Sequence, residues 1–237
     1  MTKDDKMNIF GLLRTIRLFS TLTDQELRQI RDNIAIKRFR KNEVILYEEN
    51  TNQVMYIILS GKVKVLQTTE DGKEMIMAIH QAGDFFGEVS LIDSLTMPAS
   101  VVATEDAVVA IISKKDFYTI LHSQGKVVED LLLVMCSRLR ESWRKMQILS
   151  LNNAAQKVRM LFLMLSQEHG RKTGEGLMLD IKLTHQDIAN MVGITRETVT
   201  RILDRWLVDE EIKVTKKKFM LLSGNFLKAD LRREVIQ

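Results

Sequence analysis

One cysteine, Cys136, stands in a chain of 237 residues. A lone thiol excludes an intramolecular disulfide, a tetrahedral cysteine zinc site and a four-thiolate iron–sulfur cluster built from one chain. No run approaches about 18 uncharged apolar residues, which excludes a spanning helix. The opening Met1-Thr-Lys-Asp-Asp-Lys carries acids and no apolar core, so no signal peptide is expected there. There is no phosphate-cradling glycine-rich loop followed by lysine, and no nucleophile–base pairing that spacing would reveal. What remains is an ordinary globular balance, 45% hydrophobic and 28% charged, long enough for one large domain or two modest ones. A cytoplasmic protein with no membrane partner is expected.

Charge is unevenly placed. Residues 1–150 hold 20 basic and 20 acidic side chains, whereas residues 151–237 hold 15 Lys and Arg against 11 Asp and Glu. The whole net charge of +4 therefore belongs to the C-terminal segment, as suits a module that binds a polyanion.

The texture changes twice along the chain. Leu27, Ile30, Arg31 and Ile34 recur at helical spacing, with Asp24 placed to cap. From about residue 36, short β-prone runs alternate with turn signals roughly ten residues apart, which predicts an antiparallel barrel or jelly roll. Asp71-Gly72 between Val65-Leu66-Gln67 and Met75-Ile76-Met77 marks a hairpin. From Lys114 the pattern is helical. Val128, Leu132, Met135, Leu139, Ser142, Met146 and Leu149 follow steps of four and three over three heptads. This predicts a long helix paired with its copy in a parallel homodimer, or else one lying on its own barrel. Cys136, beside Met135, is expected to be partly buried. A further helix spans 154–169 and ends at Gly170. A polar loop, Arg171 to Gly176, then leads to a short strand at Leu177-Met-Leu-Asp-Ile.

The sharpest pattern lies at 184–206. Thr184 can cap a helix through Val192, Gly193 supplies a turn, and Thr195 caps a second helix from Arg196. Ile188, Ala189, Val192, Ile194, Val199 and Ile202 would fill the angle between them. This is the grammar of a helix-turn-helix. The second helix presents Arg196, Glu197, Thr200 and Arg201 in its first two turns, the end that enters a major groove. Arginine can bind guanine bidentately, and glutamate can accept from cytosine N4. Ile212-Lys-Val-Thr and Phe219-Met-Leu-Leu flank Lys216, Lys217 and Lys218, two strands around a basic turn that read as a wing touching phosphates.

These residues in this order resemble the Crp–Fnr transcription regulators. The resemblance rests on Tyr56-Ile-Ile-Leu-Ser-Gly-Lys-Val-Lys-Val, Glu70-Asp-Gly-Lys-Glu, Gly83-Asp-Phe-Phe-Gly-Glu, Thr184-His-Gln-Asp-Ile-Ala and Arg196-Glu-Thr-Val-Thr-Arg, and runs from about 18 to about 222. It implies an α+β fold with three parts. These are a cyclic-nucleotide-binding-type β-roll (a double-stranded jelly roll) over 1–122, a dimerisation helix over 123–150, and a winged helix-turn-helix over 151–237. It also implies a homodimer on double-stranded DNA with RNA polymerase as partner. Arg196, Glu197 and Arg201 match the base-reading positions, and Thr184, Gln186, Thr195 and Thr198 match phosphate-holding ones. The target implied is an inverted repeat related to TGTGA–N6–TCACA, read by recognition helices about one helical turn apart. A ligand in the roll would bias the long helix and a hinge near 146–153, and so set the spacing of those helices.

The effector cassette departs from the family pattern. Gly87-Glu88 opens it, but Thr96-Met97-Pro98-Ala99-Ser100 closes it. Met97 stands where an arginine pairs with the cyclic phosphate, and Pro98 where serine is expected. Losing that charge-assisted contact removes about 1.5–3 kcal/mol. On the long helix, Ser142 keeps one of two hydroxyls that hold adenine and Trp143 replaces the other. An effector other than cyclic AMP is expected, its identity unknown. A cyclic-nucleotide-dependent activator or a ligand-free member are the alternatives. Haem would draw ligands from His80, His122 or Cys136. A cupin-type enzyme would need clustered His and carboxylate ligands, and the roll offers only His80. The chain is expected not to be an enzyme.

Overall fold

The computed structural model describes residues 11–14, 16–123, 125–215, 218–222 and 226. The chain divides into two compact units, Met1–Leu139 and Arg140–Gln237.

In the first unit, the spacing of Leu27 and Ile30 yields α1 (Asp24–Asn33) with both side chains buried. The cap lies one residue earlier than the sequence suggested. Thr23, not Asp24, occupies it: its hydroxyl accepts from the Glu26 N–H, and the Glu26 carboxylate accepts from the Thr23 N–H at 2.8 Å. This reciprocal box satisfies two donors that an aspartate at 24 could not reach in the same way. Asp24 pairs instead with Arg14.

The short apolar runs become β1 (Ala35–Phe39), β2 (Val44–Leu46), β3 (Val54–Ser60), β4 (Lys62–Thr68), β5 (Glu74–Gln81), β6 (Phe85–Phe86), β7 (Ser100–Ala103) and β8 (Ala107–Ser113). They form two antiparallel four-stranded sheets, ordered β1-β8-β3-β6 and β2-β7-β4-β5. The hairpin at Asp71-Gly72 forms as expected: Gly72 takes φ 78°, Leu66 faces Ile76 and Gln67 faces Met75. Phe39, Ile58, Val63, Phe86, Val101 and Val109 fill the interior of the roll. Met55, Ile57, Phe85 and Ile112 belong to a second core, with Leu27, Phe117, Val127 and Leu131 of the surrounding helices. Alternation along β3 thus serves two cores at once. The helices concerned are α1, α3 (Lys114–Ser123) and the start of α4 (Gly125–Ser150), with α2 (Glu88–Asp93) between β6 and β7.

Two faces of α4 have different fates. Val127 and Leu131 are buried against the roll, and Val134 and Met135 are half-buried there. Val128, Leu132, Leu139, Met146 and Leu149 are all exposed. The reading of α4 as a helix on its own barrel therefore holds for one face, and Met135 leans toward that face. Cys136 is exposed rather than partly buried, because the seam beside it is uncovered in a single chain.

The second unit contains α5 (Ala154–His169), β9 (Gly170–Lys172), β10 (Gly176–Leu179), α6 (His185–Val192), α7 (Arg196–Val208), β11 (Ile212–Thr215) and β12 (Lys218–Leu222), with sheet order β11-β12-β10-β9. Asn153 caps α5 by accepting from the N–H groups of Ala155 and Gln156. The expected polar loop from Arg171 is partly strand: Arg171 pairs with Met178, and Lys172 with Leu177. Gly170 permits this abrupt reversal, since a Cβ there would lie 2.0 Å from the Ser166 carbonyl oxygen. Phe162 of α5 anchors the core, its ring 6.1 Å from Trp206 and 5.2 Å from Phe219. Among the described residues no helix is long and apolar enough to cross a membrane.

Candidate nucleic-acid interface

Local chemistry sets the two helices of the interface. The Thr184 hydroxyl accepts from the Asp187 N–H at 3.0 Å, and the Asp187 carboxylate accepts from the Thr184 N–H at 2.9 Å. At the other end of α6, Gly193 adopts φ 65° and ψ 43°, and its N–H donates to Ala189. A side chain there would meet only Leu149 at 3.7 Å, so the need for glycine is conformational rather than steric. Thr195 then caps α7, accepting from the Thr198 N–H at 3.2 Å. Ile188, Ala189, Val192 and Val199 are buried between the helices as expected. Ile194 and Ile202 are only half-buried, and Leu203 and Trp206, one turn further on, complete the core instead.

With these positions fixed inward, Arg196, Glu197 and Arg201 stand exposed on the first two turns of α7. Together with Thr200 and Asp204 they line one open depression. Among the described residues none of the three enters an ion pair. Their donors and acceptor are thus uncommitted. Gln186 is exposed and donates to Asn190 at 2.7 Å, while the hydroxyls of Thr195 and Thr198 lie 3.0 Å apart. One contact had no sequence signal: His185 Nδ1 lies 2.8 Å from the Thr200 hydroxyl, joining α6 to α7.

The wing strands pair from Ile212↔Leu221 to Thr215↔Lys218. Lys218 opens β12 rather than lying in the turn, and its ammonium pairs with Asp180. Lys213 pairs with Glu175 at 2.7 Å, which raises the lysine pKa and lowers that of the carboxylate. Lys216 and Lys217 lie outside the described residues.

The cassette in the roll is built around a backbone constraint. Gly87 takes φ 86°, and a Cβ there would lie 3.0 Å from the Val54 carbonyl oxygen. It starts α2, whose first residue, Glu88, is only 1% exposed. The Glu88 carboxylate sits 2.5 Å from the Arg138 guanidinium of α4, while its second oxygen has no hydrogen-bond partner. Burial pushes the Glu88 carboxyl pKa up, and Arg138 pulls it partly back. Sequence spacing gave no sign of Arg138, fifty positions away. Met97 points into the roll's apolar interior, with the Ser90 hydroxyl 3.1 Å from its sulfur. Pro98 is exposed and its carbonyl accepts from Gln67 at 2.8 Å. Ala99 is buried, and the Ser100 hydroxyl accepts from the Glu48 N–H at 2.9 Å. Ser142 and Trp143 belong to the second unit and are exposed. His80 lies 3.9 Å from Asp84, and His122 stacks on Tyr118. Among the described residues no three His, Cys, Asp or Glu side chains cluster as metal ligands.

A roll with a Gly-Glu cassette, followed by a capped helix-turn-helix with a wing, is the architecture of a DNA-binding transcription regulator. Comparison with known proteins agrees. The family model "Cyclic nucleotide-binding domain" matches residues 36–124, and "Crp-like helix-turn-helix domain" matches 156–229. The cAMP-activated global transcriptional regulator Vfr of Pseudomonas aeruginosa is 30% identical over 192 residues, covering 79% of this chain and 89% of that protein. The cyclic AMP receptor protein of Thermus thermophilus is 29% identical over 186 residues, covering 78% and 83%. The structure of FixK2 from Bradyrhizobium japonicum shares the fold, with a TM-score of 0.71 at 21% identity over 82% of this chain and 94% of that one. The chain belongs to the Crp–Fnr family.

Proposed function

We propose that this regulator works as a cytoplasmic homodimer, joined along the exposed apolar face of α4, that reads an inverted repeat related to TGTGA–N6–TCACA. The observation that carries the reading is the exposed, uncommitted trio Arg196, Glu197 and Arg201 on a helix whose first turn is fixed by Thr195. In this role the arginines take guanine O6 and N7, and Glu197 accepts from cytosine N4. Thr184, Gln186, Thr195 and Thr198 face phosphates from the first turns of α6 and α7, where helix N-termini favour anions. Lys216 and Lys217 add phosphate contacts from the wing. Lys218 contributes less, because Asp180 already neutralises it.

The sensory part spans 1–122, the dimer helix 123–150 and the DNA-binding part 151–237. RNA polymerase is the partner through which bound DNA is put to use. The effector differs from cyclic AMP. Met97 is an apolar core residue where a cyclic phosphate would need a cation, and Pro98 has no N–H to offer it. The same residues favour a member that binds DNA without any nucleotide.

Fluorescence anisotropy with a labelled TGTGA palindrome, at fixed salt and with or without cyclic AMP, tests both parts. Tight binding unchanged by the nucleotide is expected. Binding that appears only with cyclic AMP would overturn the cassette reading. Arg196→Ala is expected to cost about 1–3 kcal/mol of specific binding and to relax one base position. An unchanged preference would remove Arg196 from the reading set.

A further inference from the structure

We infer that Arg159 and Phe226 are positioning residues for DNA reading: together they clasp the far end of α7 and set it against the wing. The inference rests on the DNA-reading role proposed for Arg196, Glu197 and Arg201. Arg159 joins α5 to three other stretches of the second unit. Its guanidinium lies 4.8 Å from the ring centre of Trp206 and 4.5 Å from that of Phe226. The two rings meet edge to face, 5.2 Å apart. One guanidinium nitrogen donates to the Phe226 carbonyl oxygen at 3.3 Å, and another donates to the Glu211 carboxylate. Trp206 is buried on α7, and Phe226, which lies beyond the end of β12, is fully buried. Glu211 closes the turn between α7 and β11. Its N–H donates to the Trp206 carbonyl oxygen at 2.8 Å, and its neighbour Ile212 is buried and begins β11.

An apolar side chain at 159 would fill the same space without fixing a direction. A guanidinium must lie over both rings while its N–H groups meet two particular oxygens, which leaves little room to slide. Thr195 fixes the first turn of α7, and the clasp fixes its last turn and the start of the wing. A swing at that far end would displace the side chains that meet base edges. Attraction to phosphates asks only for charge nearby, so a loosened α7 still supplies it. Neither Arg159 nor Phe226 touches DNA in this account.

The test separates reading from folding. Full-length protein selects its preferred duplex from a random pool, and stoichiometric titration with that duplex gives the binding-competent fraction. Affinities for the selected duplex and for random DNA are then expressed per competent protein. Phe226→Ala changes no charge. It is expected to lose about tenfold on the selected duplex, as one mismatched base pair would, while random affinity and its salt slope hold. Phe226→Tyr, which keeps the ring, is expected to restore the selected-site affinity. Arg159→Lys keeps the charge but not the planar fork, and is expected to show the same selective loss should Phe226→Ala fail to fold. Equal losses on both DNAs, or a smaller competent fraction with the affinity ratio unchanged, would reduce the clasp to a support of the fold and overturn the inference. A wild-type protein that selects no site over random DNA overturns the DNA-reading role itself, and this inference with it.

Discussion

At the scale of single residues, Glu88 carries the clearest physical signature. A carboxylate with one oxygen on Arg138 and the other unpaired is held where water cannot solvate it, and its pKa is raised in the folded chain. The folded state therefore binds the proton more tightly than the unfolded one. Stability from this group is fully present below the ordinary carboxylate range and is lost as pH rises through the raised folded value. Urea unfolding of wild type and Glu88→Gln at stepped pH is expected to give matching midpoints near pH 4 or below and a deficit for wild type that grows above it. Parallel profiles would contradict the buried, unsatisfied carboxylate. Half of this site was legible in sequence. Gly87-Glu88 is a local motif, whereas Arg138 reaches it only because Val127 and Leu131 seat α4 on the roll. Spacing cannot announce a partner that packing supplies.

Elements divide along the same line. Helices with a hydroxyl at one end and glycine at the other, α6 above all, could be read almost to the residue, because caps are decided within four positions. The strand β9 could not. Arg171 and Lys172 have little intrinsic strand preference, and their pairing with Met178 and Leu177 is imposed by β10. The heptad seam of α4 stands between these cases. Its period was visible, but only the structure separates the face spent on the roll from the face left open. Leu139 is 50% exposed in the single chain. Leu139→Glu should therefore leave the fold of each chain untouched while placing two unpaired charges opposite each other in a parallel pair, at a cost of several kcal/mol. Light scattering is expected to report monomers, with an unchanged circular dichroism spectrum. A mutant that remains dimeric would refute the α4 interface.

Over the whole molecule the decisive asymmetry is electrostatic. The first 150 residues are neutral and the last 87 carry the entire +4, so the sequence-independent attraction to a polyanion is concentrated in residues 151–237. Within that segment, charges differ in availability. Lys213 and Lys218 are neutralised by Glu175 and Asp180, and Arg159 by Glu211, whereas Arg196 and Arg201 enter no ion pair among the described residues. Salt titration of DNA affinity distinguishes the groups, since each phosphate contact adds about 0.9 to the slope of log affinity against log salt. Replacing Lys216 and Lys217 together by glutamine is expected to weaken binding equally on the preferred site and on random DNA, and to flatten the slope by about two per protomer. Lys218→Gln, which removes a charge already paired, should change it much less. If Lys218→Gln flattens the slope as strongly as either neighbour, the Asp180 pair opens on DNA and the wing presents all three lysines to phosphate. If none of the three moves it, the wing does not touch DNA, and the contacts come from α6 and α7 alone.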